Sequence, residues 1–269
     1  MGQWVKKEYS NKRINDAAAQ LAPWWLRPDR SAADAMAEAY DVVDNWRASH
    51  SFPLNHFQDS LRKRSRKVDS NVIVARRLKR MPSVLAKLAR SPYPVTTMQD
   101  LGGCRAILGS MREVNAVLDT FIGEPSLFPL EGTPRHYNYI QKPKADGYRG
   151  IHIVGRYKAK SQQTSFWSGY RIEIQLRTVL QHACSTAVET VATFTGFPLK
   201  FGKGPDDWKR FFVLASSAFA ILERSPLCPG APEDSEEDTA STAPLPFVVG
   251  SFPARSAAEA PDVYGAWLP

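Results

Sequence analysis

Residues 171–178 read Arg-Ile-Glu-Ile-Gln-Leu-Arg-Thr. In an extended chain, Arg171, Glu173, Gln175 and Arg177 project to one face, and Ile172, Ile174 and Leu176 to the other. This alternation predicts a strand with an aliphatic face on a core and a polar face turned away from it. Moving outward, Ile151 to Lys158 and Tyr137 to Ile140 read as strands around a loop at Pro143 to Gly147. Asp100 opens a further strand whose body is Cys104-Arg105-Ala106-Ile107-Leu108. Val179 to Phe194 and Trp208 to Glu223 read as helices, the latter carrying the apolar run Phe211 to Leu222 expected of a buried helix. Met111 to Phe121 is a predicted helix, with Ser110 as cap and Glu113 at the third position after it. Val72 to Leu88 begins apolar and then reads as helix, a basic helix is predicted from about Leu54 to Lys67, and residues 11–48 look helical, with Ser31 as N-cap before Ala32–Trp46. The fold class expected is α+β, a mixed β-sheet flanked by helices. Three parts are expected: a helical N-terminal extension at 1–54, a mixed α/β domain at 55–228, and a disordered acidic, Pro-rich tail at 229–269.

The chain of 269 residues is 43% hydrophobic and 23% charged, which excludes an all-disordered or fibrous protein. Its formal charge is +8, a basic balance that favours polyanionic partners. The charge is uneven. Residues 61–90 hold 11 Lys/Arg against the single acid Asp69, and residues 231–269 hold Arg255 against seven acids. The tail also has six prolines and the run Glu233 to Asp238, a composition that cannot bury a core. Three widely separated cysteines, Cys104, Cys184 and Cys228, argue against a disulfide framework or a zinc ribbon and fit a reducing cytoplasm. The N-terminal residues lack the apolar stretch of a secretory signal, and the 12-residue run at 211–222 is too short to span a bilayer, so no membrane association is expected.

Four polar clusters are set in apolar surroundings. The first is Arg77-Leu-Lys79 followed by Ser83 and Lys87; on one helix, Lys79, Ser83 and Lys87 would share a face able to hold a triphosphate. The second is Asp100-Leu-Gly-Gly-Cys-Arg105, where an acid entering a strand can reach a metal and the glycines admit a close neighbour. The third is the loop Lys142-Pro-Lys144-Ala-Asp-Gly-Tyr148-Arg-Gly-Ile-His152, which offers lysines to phosphates and an aromatic ring to a base. The fourth is Glu173-Ile-Gln175, whose carboxylate, converging with Asp100, would make a Mg²⁺ site, since Mg²⁺ is commonly held by one or two carboxylates plus substrate phosphates. Each also has a plainer reading: a solvated basic face, a turn cap, a basic hairpin loop, a polar outer strand face.

Taken in order, these segments resemble the synthetase domain of the RelA/SpoT family, over roughly residues 55–225. Glu-Ile-Gln-Leu-Arg-Thr at 173–178 and the Pro143-Lys144…Gly147-Tyr148…His152 loop are the most specific parts of the match. The resemblance implies a nucleotidyltransferase-like fold. It also implies transfer of pyrophosphate from ATP to the 3′-hydroxyl of GDP or GTP, with AMP released. By the same resemblance, Arg77 and Arg105 would sandwich the adenine, and Lys79 and Lys87 would bind ATP phosphates with Ser83 nearby. Asp100 and Glu173 would hold Mg²⁺, and Glu173 would draw the proton from the attacking hydroxyl. Tyr148 would stack on the acceptor base, Lys144 and His152 would lie at phosphates, Gln175 would orient the acceptor sugar, and His182 would be an acceptor-side group.

Some positions depart from the family pattern: Asn138 where Asp is common, Gly150 where Ser is common, and Cys184 where Trp is common. None of the five histidines is followed by Asp, so the expectation is a stand-alone small synthetase without the hydrolase domain of longer members. Small members are often homo-oligomers. Some stand-alone relatives are toxins with an antitoxin partner, acting on the tRNA 3′-CCA end or making adenosine alarmones. The run Arg62-Lys-Arg-Ser-Arg-Lys67, which ATP binding does not use, keeps tRNA open as an acceptor.

Overall fold

In the computed structural model the alternation at 171–178 is realised as the central strand of a five-stranded sheet. The structure describes residues 4–28 and 30–231; nearly all of the acidic segment expected at 229–269 lies outside the described residues. The strands are β1 (Ile73–Leu78), β2 (Gly102–Leu108), β3 (Arg135–Asn138), β4 (Ile151–Arg156) and β5 (Arg171–Thr178), in the order β1-β2-β5-β4-β3. β2 and β5 run parallel and the other neighbours antiparallel, so the sheet is mixed, as expected.

Two compact units form. Of the described residues, the first holds those up to Lys142 together with Arg149–His182. The second holds Pro143–Tyr148 together with those from Ala183 onward.

In the first unit one face of the sheet is aliphatic and buried, while on the other Ile107 and Arg177 are also buried. Cys104, Ala106 and Leu108 of β2, Ile172, Ile174 and Leu176 of β5, and Ile151 and Ile153 of β4 are all buried. Each of the larger aliphatic side chains contributes about 1.5–3 kcal/mol on leaving water. Against this face packs helix α3 (Ser51–Val68), through Leu54, Phe57 and Leu61. A Cβ built on Gly102 would lie 3.6 Å from the Cβ of Leu54, and one built on Gly155 would lie 3.2 Å from the Phe57 ring. The absence of a side chain at Gly155 therefore lets helix and sheet close on each other, whereas at Gly102 the tight neighbour is Ile172 of β5, at 2.7 Å.

Helices α1 (Asn11–Leu26) and α2 (Ala33–Ala48) precede α3, and α4 (Met81–Arg90) and α5 (Met111–Gly123) connect the strands. At α5, Ser110 accepts from the Glu113 N–H while Glu113 accepts from the Ser110 N–H, the reciprocal cap predicted from sequence. Helices α6 (Val179–Thr195) and α7 (Asp206–Leu222) complete the described chain.

Three local expectations are corrected. Ser31 does not cap α2: it lies inside a short 3-10 turn at Arg30–Ala32, and Ala32 occupies the cap position without a side-chain bond. The stretch from Val72 to Leu88 is not one apolar lead into a helix. It is strand β1, paired to Gly102 as far as Leu78, then a turn, then α4. Arg80 is extended (φ −63, ψ 140) and Pro82 opens α4, so the helix cannot reach back to Lys79. Lys79 and Ser83 accordingly share no helical face. Third, α7 is not buried throughout: Phe212, Ser216, Ser217 and Ala220 are inside, but Phe211, Leu214, Ile221 and Leu222 are exposed. A 3.6-residue period presents only one stripe of a helix inward.

Gly155→Ala overpacks the sheet against Phe57 and Leu130 and is expected to cost about 1–3 kcal/mol. The check is a lower urea midpoint with an unchanged dependence on denaturant.

Candidate active site

Register across the sheet assembles the polar face. Directly paired residues project to the same side, so Arg105, Gln175, His152 and Tyr137 form one row across β2, β5, β4 and β3. The neighbouring row runs Arg77, Gly103, Glu173, Val154 and Arg135. Gly103 puts no side chain between Arg77 and Glu173. A Cβ there would meet nothing closer than the Glu173 carbonyl at 3.7 Å, so the surface between arginine and carboxylate is open. Arg77 and Arg105 are diagonal partners on this face, a relation that separates strand positions by roughly 7–8 Å. That is about twice an aromatic stacking distance.

Asp100 stands where the chain enters β2. Its carboxylate accepts from Lys79 Nζ at 3.0 Å and Lys87 Nζ at 3.1 Å. The Lys79 N–H also donates to the Leu101 carbonyl at 2.8 Å, which fixes the turn that aims this lysine. Burial pushes the Asp100 carboxyl up, but the two lysines outweigh it and hold it below its ordinary value. Burial pulls Lys87 down, yet Asp100 and the Tyr93 hydroxyl leave it raised. Tyr93 carries no motif signal and was not singled out from sequence.

Glu173 is bound on both oxygens. His152 Nδ1 lies 2.9 Å from Oε1, and Gln175 Nε2 donates to Oε2 at 2.8 Å. Burial raises its carboxyl, the His152 bond and charge and the Gln175 bond lower it, Asp100 raises it again, and the balance lies below the ordinary value. The two carboxylates therefore sense each other across the site while both remain ionised. Such a pair, faced by lysines, fits a divalent cation bridging to phosphate oxygens. Among the described residues no group of three or more His, Cys, Asp or Glu is gathered as a metal cage.

The first unit thus brings together Arg77, Lys79, Lys87, Asp100, Arg105, His152, Glu173 and Gln175. Ser83 is on the exposed side of the first turn of α4, one turn before Lys87. His182 is half-buried in the first turn of α6. The second unit holds Lys144 and Tyr148 side by side, with Lys144 Nζ 5.0 Å from the centre of the Tyr148 ring. Their loop turns at Gly147 (φ +84), whose N–H donates to the Lys144 carbonyl at 3.0 Å and whose carbonyl accepts from Ser216 of α7 at 2.6 Å. A Cβ at Gly147 would come within 2.9 Å of the Phe212 carbonyl, so this position requires glycine twice over. Beside the loop is a cavity of about 330 Å³ lined by Lys144, Asp146, Val188, Leu199, Lys209 and Phe212.

The basic run Arg62–Lys67 belongs to α3, which covers the aliphatic face of the sheet. It is on the far side of the sheet from Glu173. Sequence spacing could not reveal this, because it does not tell which face a preceding helix takes.

Residues 76–194 match the model of the region found in RelA / SpoT proteins. The fold is that of the small alarmone synthetases. Small alarmone synthetase 2 from Bacillus subtilis superposes with a TM-score of 0.56 at 18% identity, covering 67% of this chain and 94% of that one. Small alarmone synthetase 1 from the same organism gives 0.51 at 22% identity, covering 64% and 90%. An uncharacterized protein of Mycobacterium tuberculosis is 30% identical over 144 residues, 51% of this chain. The chain spans 45% of the length of that curated relative. Among the described residues no helix is long and apolar enough to cross a membrane.

Carboxyls held below their ordinary values contribute stability that is complete above those values and is lost as pH falls through the folded ones. For Asp100 and Glu173 the ordinary values are 3.8 and 4.5, so the loss is expected below about pH 4. Asp100→Asn removes one of the titrations. Unfolding free energy measured against pH should fall less steeply on the acid side in this variant than in the parent.

Proposed function

We propose that this chain transfers the β,γ-pyrophosphate of ATP to the 3′-hydroxyl of GDP or GTP, releasing AMP. The observation that carries the reading is one sheet face that holds Asp100 between two lysines and Glu173 between His152 and Gln175, with Arg77 and Arg105 on the same side. The family span over residues 76–194 and the likeness in fold to the small alarmone synthetases support it.

Phosphoryl-type transfer asks little covalent work of a protein; it asks for positioning and for charges that meet the developing oxyanions. Arg77 and Arg105 would hold the adenine between their guanidinium planes. Lys79 and Lys87 would meet the ATP phosphates, exchanging part of their contact with Asp100 for phosphate oxygens, and Ser83 would lie at the outer edge of that set. Asp100 and Glu173 would hold Mg²⁺, which supplies neutralising charge at the phosphate oxygens when bound. Glu173 is ionised at neutral pH, and His152 and Gln175 aim its carboxylate. It would accept the proton of the 3′-hydroxyl as the new bond from that oxygen to the β-phosphorus forms and the bond to the α,β-bridging oxygen breaks. Lys144 and Tyr148 would take a phosphate and the base of the acceptor, and His182 would lie on the acceptor side. A free nucleotide is favoured over tRNA as acceptor because Arg62–Lys67 is on the sheet face away from Glu173.

The test is incubation of the chain with ATP labelled in its β- or γ-phosphate, Mg²⁺ and GDP, GTP, an adenosine nucleotide or tRNA in turn. Label is expected on the guanosine nucleotides. Asp100→Ala and Glu173→Gln should each reduce transfer by about 10²-fold or more, with circular dichroism unchanged. Parental turnover in either variant would overturn the reading.

A further inference from the structure

The polar face of the sheet continues past the carboxylates to two tyrosines that no role so far uses. Tyr137 sits on β3, opposite His152, and β3 pairs only with β4, so it is an edge of the sheet. Tyr139 follows two residues later on the same side, its N–H bonded to the Gly150 carbonyl at 3.0 Å. The two rings are parallel to within 6°, with centroids 6.2 Å apart. Tyr139 also meets the His152 ring edge-on at 5.3 Å, and His152 in turn holds Glu173 at 2.9 Å. An unbroken line of contacts therefore joins the ring pair to the reacting carboxylate. Tyr137 is 40% exposed, which is more than packing alone needs from a ring of this size. Burial, then Tyr137, then Glu173 raise the Tyr139 hydroxyl, so it stays protonated and its ring uncharged at neutral pH.

Parallel aromatic faces on an open sheet surface are what a nucleobase stacks on, because every base has a π-face and stacking is tolerant of its identity. The position also selects the side. Arg77 and Arg105 lie toward the β1 edge, Glu173 in the middle, and Tyr137 at the opposite edge. If the donor nucleotide occupies the arginine end, the tyrosine end belongs to the acceptor. We propose that Tyr137 and Tyr139, rather than Tyr148 alone, form the stacking platform for the acceptor's nucleobase. This rests on the transfer reading for the words donor and acceptor, but not for the stacking itself. The base could come from a mononucleotide or from the end of a single-stranded RNA, and the chemistry at the rings is the same.

The experiment is calorimetric titration of the full chain, its Tyr137→Ala variant and its Tyr137→Phe variant with three probes: GDP, a short single-stranded RNA oligonucleotide, and α,β-methylene-ATP. Tyr137 is exposed, so its truncation should leave the core intact. Tyr137→Ala is expected to weaken GDP or RNA about tenfold, the scale of one base–aromatic stack, with Phe restoring the affinity and the ATP analogue unaffected. Loss with GDP assigns the platform to a mononucleotide; loss with RNA alone assigns it to an RNA end. Unchanged affinity for both, failure of Phe to restore it, an equal loss for the ATP analogue, or no binding of either probe by the parent overturns the proposal. Transfer measured in parallel separates the two readings. Parental transfer with an unchanged acceptor KM in Tyr137→Ala sinks the platform and keeps the reaction; Tyr137-dependent binding without any transfer does the reverse.

Discussion

Ile172, Ile174 and Leu176 are buried without remainder beneath α3 and its neighbours, and this one-sided burial governs the rest of the site. A strand has a period of two, so fixing its aliphatic residues inward leaves Glu173, Gln175 and Arg177 no choice of face. A slip of one residue would put a carboxylate into the core, at a desolvation cost far above what any single contact returns. The parallel pairing of β2 with β5 then carries the same decision across to Gly103 and Arg105, and the antiparallel pairs carry it to Arg77, His152 and Tyr137. Hydrophobic burial on one side is thus what positions the charges on the other.

The charged residues are in turn arranged so that none is left bare. Asp100 and Glu173 are mostly buried acids, and each is held by polar neighbours: two lysines in one case, His152 and Gln175 in the other. Burial alone would raise both carboxyls above their ordinary values. The partners reverse that outcome.

Much of this was legible in the chain of letters, and the reasons are local. The alternation at 171–178 and the cap at Ser110–Glu113 are short-range patterns with one physical solution each. Arg105 and Glu173 fell on strands whose period could be counted. What was misread depended on information beyond the segment. Lys79 was placed on a helix because the four-residue spacing to Ser83 and Lys87 fits one; only the pairing of Leu78 with Gly102, together with the Pro82 helix start, shows that the chain is still extended there. The apolar run of α7 looked uniformly buried because hydrophobicity does not say which stripe of a helix meets a partner. Tyr93 carries no spacing signal at all; its approach to Lys87 comes from the fold.

The basic balance of the chain divides along the same lines. Arg77 and Arg105 belong to the polar face, and Lys79 and Lys87 hold Asp100 where the chain enters β2. Arg62 to Lys67 lie on the helix that seals the opposite face, where Arg62 pairs with Asp59 and Lys63, Arg66 and Lys67 reach solvent. An anion drawn to that helix gains nothing from the transfer chemistry, and an anion in the transfer site gains little contact from that helix, because the sheet stands between them and exposed charges beyond roughly 8–10 Å are screened at ordinary salt. The count of positive charges that first suggests a polyanion therefore describes two separate surfaces.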